Sequence, residues 1–328
     1  MARDNRIDSI KGLLIILVIL GHTIISLDNV NTLNHGVMGL IYIFHMPLFI
    51  LISGYLTKHP AEQSASKMWR GVGNIFVTLI IFQLLVSVRV HLMGGHFTAA
   101  MEAFPFGILW YLLSLICWRI MLYYTPQALL DKPWVYLAIA LAVSLLSGLT
   151  HLGLFLSLQR TLSFYLFFLM GFYYRQGVLN TRLWHNNLLH AAVAIPLLPL
   201  LFWLYPHCGN VMNGADYYGI AGLPEKAMVL ICSICVSLLV FNLMRDNMIL
   251  RTIGKDTMFY YLYHMFVTTS LIVPIVVNNG WPRTLPFILI YTALAVVIMW
   301  GMTKIQFFRW LIHPTFKFKK QEGETANP

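Results

Sequence analysis

The sequence predicts an all-α bundle of about ten membrane-spanning helices with both chain ends in the cytoplasm. Three observations predict it: the composition, the recurrence of apolar windows, and the side on which the basic residues fall. Of 328 residues, 59% are hydrophobic and only 10% are charged, where soluble domains carry about a quarter. A water-surrounded fold of this size has no room to hide so much apolar surface. A bilayer accepts it, because there the outside of the fold is apolar too.

Windows long enough to cross roughly 30 Å of hydrocarbon recur along the chain. They lie at 11–28, 37–56, 72–93, 105–124, 134–150, 161–175, 187–205, 226–245, 256–277 and 285–305. The sixth is short, and its start at Arg160 is polar. The first window follows a basic N-terminus as a signal peptide would. However, Gly12–Leu27 is long, carries His22 and shows no small-x-small cleavage site before Asp28, so it is expected to stay as a span.

Orientation follows from Lys and Arg. With ten spans and an inside N-terminus, all but four of the 22 basic residues fall on the cytoplasmic side; the exterior keeps Arg89, Arg160, Lys226 and Arg283. The net charge of +10 does not point to nucleic acid, since no basic stretch exceeds an adjacent pair before the C-terminus. One domain over 1–328 is expected, with no repeat and a disordered tail from about Phe316. The four cysteines offer no disulfide framework. Cys232 and Cys235 form a C-x-x-C inside an apolar segment without a second pair, which reads as packing rather than as a metal or redox site.

Ionisable groups at bilayer depth are costly, so each is a functional candidate. Lys11 and His22 are separated by ten residues on one helix. Eleven steps of about 100° put them within roughly 20° of one face, about 16 Å apart along the axis. Asp8 lies one turn before Lys11 and is placed to pair with it. His45 in the second span and His264 in the ninth are expected at a similar depth, about 12 Å in. A lone intramembrane His often serves packing; three at one level point to a buried polar cavity. Ser53 and Gly54 suit either close helix packing or a backbone that approaches a ligand. Lys67 and Arg70 share a helix face entering the third span, where plain cytoplasmic flanking is the simpler explanation.

Several of these stretches carry a family resemblance. Arg6-Ile-Asp-Ser-Ile-Lys-Gly-Leu…Leu-Gly-His22 resembles the opening of the acyltransferase 3 family of bacterial membrane O-acyltransferases, in which a basic residue, ten positions and a His recur. Phe44-His-Met-Pro-Leu-Phe-Ile-Leu-Ile-Ser-Gly-Tyr55 is similar to the second-helix signature of its fucose-4-O-acetylase-like branch. Leu109-Trp-Tyr-Leu112 resembles the fourth-helix element, and Ile253-Gly-Lys-Asp-Thr-Met-Phe-Tyr-Tyr-Leu-Tyr-His264 the late motif, with Thr257 where the family has Ser. The family's denser Arg run ending in Pro, at the start of the third helix, is reduced here to Lys67 and Arg70.

The resemblance implies transfer of an acyl group, by default acetyl, from cytoplasmic acetyl-CoA to a hydroxyl of a cell-surface or lipid-linked glycan, in a bacterial cytoplasmic membrane. His22 is then expected as general base or as transient acyl carrier. His45 or His264 would hold its tautomer or polarise the carbonyl. Asp8, Lys11, Ser53, Lys67, Arg70 and Arg119 would hold the coenzyme at the cytoplasmic mouth. Trp110 belongs to the acceptor side, as do Asp216 and Tyr217 in the exterior loop Pro206–Glu225. No metal is expected, membrane lipid is the surrounding partner, and a second copy of the chain is an admissible one. The competing class is a transporter or flippase that makes no bond; the paired broken helices of inverted repeats are absent from the sequence. A third is a non-catalytic partner of a polysaccharide synthase.

Overall fold

The computed structural model describes residues 4–27, 32–96, 104–150, 155–204 and 219–312. Most of the exterior loop, with Asp216 and Tyr217, and the tail from Phe316 lie outside the described residues. Within them the chain is helical and carries no strand. In lipid only a helix satisfies every backbone N–H and C=O within its own segment.

The helices run in chain order as α1 (Asn5–Ser26), α2 (Thr32–Leu56), α3 (Ala65–Leu92), α4 (Trp110–Tyr124), α5 (Pro133–Leu146) and α6 (Leu158–Arg175). They continue with α7 (Asn187–Leu204), α8 (Leu223–Leu243), α9 (Met248–Lys255), α10 (Thr257–Val267), α11 (Val273–Asn278), α12 (Leu285–Met302) and α13 (Gln306–Ile312). Among the described residues, eight segments are long and apolar enough to cross a membrane. The fifth and sixth predicted spans are helical as well, over Pro133–Leu149 and Leu158–Arg175. The chain is therefore an all-α polytopic membrane bundle.

Local chemistry sets the starts of the helices. Asp4 caps α1 by accepting from the N–H groups of Arg6 and Ile7, Ser64 caps α3 through Lys67, and Asn247 caps α9 through Ile249 and Leu250. Helix α1 thus begins before the apolar run, and its first turns pack on α9. A Cβ on Gly12 would lie 1.9 Å from the Leu250 carbonyl oxygen, and one on Gly254 1.7 Å from that of Asp8. Helices α2 and α6 meet as closely: Cβ atoms on Gly54 and Gly171 would each lie 1.8 Å from a carbonyl oxygen, of Phe168 and Leu51 respectively. Of the two readings of Gly54, helix packing is the one this contact gives.

Helix ends are tied together in a way that matches the alternation of the spans read from the sequence. At the end where α1 begins, Arg6 donates to the carbonyls of Met244 and Phe241, Arg175 to that of Tyr55, and Arg309 pairs with Asp256 at 3.1 Å. At the opposite end Arg89 donates to Thr269 and Ser270, Arg283 to the Leu27 carbonyl, and the buried Lys226 to the Ser163 hydroxyl. Each of these ties joins ends that alternate crossing puts on the same side. Cys232 and Cys235 are buried free thiols within α8.

The ninth span is not one regular helix. Between α10 and α11 the chain makes a π-helical turn over Thr268–Ile272. Thr268 and Thr269 donate their hydroxyls to the carbonyls of His264 and Met265. Pro274 has no N–H to give to residue 270 and crowds its carbonyl, so a wider turn relieves the conflict.

Candidate active site

The site is built from side chains of α1, α2, α4 and α10. His22 projects from α1 against His264 of α10, with ring centroids 5.0 Å apart and the planes at 43°. The Nδ1 of His264 lies 2.7 Å from the Tyr261 carbonyl oxygen. With Nδ1–H donating there, Nε2 is left as a bare acceptor. That nitrogen is fully buried and has no hydrogen-bond partner among the described residues. A buried acceptor without a partner is costly, and it marks a place where a proton can arrive.

His45 of α2 is fastened in the same manner, its Nδ1 2.7 Å from the Ile41 carbonyl oxygen. Its ring meets the edge of Tyr42 at 5.0 Å, and His22 lies within electrostatic range of both His45 and His264. His22 and His264 therefore meet inside the bundle, with His45 of a third helix within electrostatic range of His22. His45 and His264 are buried, and His22 keeps only partial exposure.

From the imidazoles a line of phenols leads toward the end of the bundle where α1 begins. Tyr261, one turn before His264, packs its ring 5.5 Å from Tyr111 and donates its hydroxyl to the Ile108 carbonyl. Ser53 gives its hydroxyl proton to the Phe49 carbonyl at 3.0 Å, so the Tyr111 hydroxyl, 2.5 Å away, is the donor to Ser53. Tyr111 in turn lies within electrostatic range of Arg119. Arg119 lines a cavity of about 260 Å³ together with Lys58, Glu62, Gln63, Lys67 and Tyr123. Gly71 leaves room beside the guanidinium, since a Cβ there would stand 3.8 Å from Nη1 of Arg119.

The structure brings together His22, His45 and His264, and separately Lys67 with Arg119. Ser53 stands between the two groups. Asp8 and Lys11 form an ion pair at 2.7 Å but do not line the cation cavity, and neither does Arg70, which is exposed. Trp110 is 9% exposed, with its ring stacked at 5.6 Å on Phe164 and approached at 5.4 Å by the Arg160 guanidinium. Little of that ring is left to meet an acceptor directly. Sequence reasoning missed Tyr42 and gave no role to Lys58, or to Tyr111 and Tyr261, which it quoted only within motifs. Tyr261 was findable, three residues before His264 and hence on its helix face; Lys58 had been absorbed into the cytoplasmic flanking charge.

Ionisable groups from three spanning helices around a common point, joined to a basic cavity at one end, define a membrane protein with an internal reaction or transport site. The comparisons with known proteins decide between the two. The family model for an acyltransferase domain matches residues 4–304, which is nearly the whole chain, and the chain belongs to that acyltransferase family. It is also similar to the nodulation protein NolL of Sinorhizobium fredii (strain NBRC 101917 / NGR234), 32% identical over 219 residues. That match covers 61% of this chain and 58% of NolL, so the chain spans little more than half the length of that relative. No solved structure matches.

Proposed function

We propose that this membrane acyltransferase moves an acetyl group from cytoplasmic acetyl-CoA to a hydroxyl of a cell-surface or lipid-linked glycan, in a bacterial cytoplasmic membrane. The observation that carries the reading is the His22–His264 contact, two imidazoles from distant parts of the chain held 5.0 Å apart inside the bundle. The cavity around Lys58, Lys67 and Arg119 supports the donor half. It lies at the end where the basic residues are concentrated, and it presents cations suited to the coenzyme's phosphates. The path past Ser53, Tyr111 and Tyr261 leads from there toward the imidazoles, in the direction a pantetheine arm would take.

On this reading His22 takes the proton of the acceptor hydroxyl as that oxygen attacks the thioester carbonyl carbon. The carbon–sulfur bond then breaks, and the coenzyme leaves as a thiolate that accepts the proton back from the imidazolium. His264, held by Tyr261, keeps a lone pair beside His22 and orients it; His45 with Tyr42 closes the third side. Lys11, paired with Asp8 on the same face of α1, completes the cytoplasmic approach.

The experiment uses the full-length protein in lipid nanodiscs with radiolabelled acetyl-CoA and membrane glycan extracts. Label moves to glycan with the native protein, and His22→Ala lowers that transfer about 10²- to 10⁴-fold while the variant still inserts. Near-normal transfer by His22→Ala would remove the catalytic assignment. Movement of an unmodified glycan across the bilayer, without labelled product, would replace the enzyme by a transporter.

A further inference from the structure

The cavity around Arg119 holds a charge that phosphates do not call for. It has a volume of about 260 Å³ and is walled by Lys58, Lys67 and Arg119, but also by Glu62, Gln63 and Tyr123. A carboxylate among three cations repels a phosphate while they attract it. If Glu62 served only to balance charge, it would pair with one of them. Among the described residues it forms no ion pair, so the cavity offers a ligand both kinds of group at once.

Glu62 and Gln63 sit on a backbone that is held in place. Between α2 and α3 the chain makes a 3-10 turn over Pro60–Glu62, and Pro60 sets the first φ of that turn. The Ala61 N–H donates to Nδ1 of His59 at 3.2 Å. The N–H groups of Glu62 and Gln63 donate to the carbonyls of His59 and Pro60 at 2.9 and 3.2 Å. The His59 ring lies against Phe172 of α6, with centroids 5.7 Å apart and the planes at 22°. One residue after Gln63, Ser64 caps α3. Both acceptors therefore start from a turn fastened at each end.

Tyr123 reaches the cavity from α4. It packs against the cluster of Met68, Val72 and Ile116, and its ring is 5.2 Å from that of Tyr124 in an edge contact. An aromatic ring, an amide and a carboxylate are together the parts that recognise a purine bearing an amino group. The ring offers a stacking surface, and the amide accepts from N6 and donates to N7 of an adenine. The carboxylate accepts the second amino hydrogen. A purine with an oxygen at that place would turn a lone pair toward Glu62 and be rejected. Small-molecule sites usually span roughly 300–1,000 Å³, so this cavity suits the nucleotide end of a coenzyme rather than all of it.

We infer that Gln63, with Glu62 beside it and Tyr123 as the stacking surface, reads the adenine of the acyl-CoA donor, while Lys58, Lys67 and Arg119 hold its phosphates. The cavity thus selects an adenine nucleotide and not merely a phosphate. The inference rests on the acyl-transfer reading for the identity of the donor, but its test is a binding measurement that needs no turnover.

Equilibrium dialysis of the full-length protein in nanodiscs uses three labelled probes: adenosine diphosphate, inosine diphosphate and the base-free pyrophosphate. Inosine differs from adenosine in carrying an oxygen for the amino group. The native protein binds the adenosine probe about tenfold more tightly than the inosine probe. Gln63→Leu brings the two within about twofold and leaves pyrophosphate binding unchanged; Glu62→Ala narrows the gap by admitting inosine. Equal binding of both nucleotides by the native protein overturns the assignment and leaves the cavity as a phosphate site for the donor. A full preference surviving in both variants overturns it as well, and so does a loss of pyrophosphate binding in Gln63→Leu, which would make that residue structural. Binding of none of the three probes would remove the donor reading together with this one. An adenine preference in a protein that transfers no acyl group would sink the catalytic reading and leave this one standing.

Discussion

At one end of the bundle, Lys58, Lys67 and Arg119 stand around open space, whereas deeper inside, His45 and His264 are each fastened by one ring nitrogen to a carbonyl. Solvated side chains keep their freedom and share the work of holding a ligand, so losing one is tolerated. Imidazoles locked in one tautomer have a single geometry, and replacing one removes the function it was locked for. Within one molecule, tolerance to substitution should thus fall along the line from Lys67 to His264.

The largest test is at the fixed end. His264→Ala is expected to lower acetyl transfer about 10²- to 10⁴-fold, measured as label moved from acetyl-CoA to glycan, with little change in coenzyme affinity. If this variant turns over normally, the buried lone pair on Nε2 has only a packing meaning. Arg119 stands between the extremes, at the cavity wall nearest the phenols. Arg119→Ala is expected to raise KM for acetyl-CoA by roughly tenfold to a hundredfold, the worth of a charged hydrogen bond, with a smaller effect on kcat. An effect confined to kcat would move Arg119 out of the coenzyme's reach.

The smallest effects separate Lys67 from Arg70. Lys67→Ala, at an exposed cavity residue, is expected to raise KM about two- to fivefold, and less as salt is added. Arg70→Ala, outside the cavity, should stay within about twofold under the same assay. A larger loss for Arg70 than for Lys67 would mean that the coenzyme lies along the outside of α3 rather than in the cavity.

Much of the fold was legible because the bilayer imposes one rule on every span, a run of apolar residues of fixed length. The three imidazoles were legible for the opposite reason: His22, His45 and His264 break that rule. What the sequence did not show depends on contacts between distant segments. Nothing local announces that Gly12 and Gly254 let α1 lie against α9, or that Tyr111 hands its proton to Ser53. The π turn had a local cause, in Thr268, Thr269 and Pro274, but such residues also occur in regular helices. Arg160 was legible as an exterior cation at the polar start of a short span, but its contact with Trp110, fifty positions earlier, was not.

The contact between α1 and α9 also bears on how the protein is made. Arg6 hydrogen-bonds to Met244 across 238 positions, and His22 meets its partner ring only on α10. At roughly 5–20 residues per second, the first helix waits on the order of 10–50 s in the membrane before the segment that covers it emerges. During that interval Asp8 and Lys11, a turn apart on the same helix, need no distant partner to neutralise each other. The ion pair therefore serves the nascent chain before it serves the finished one, keeping the earliest span tractable for the insertion machinery until the last third of the polypeptide arrives.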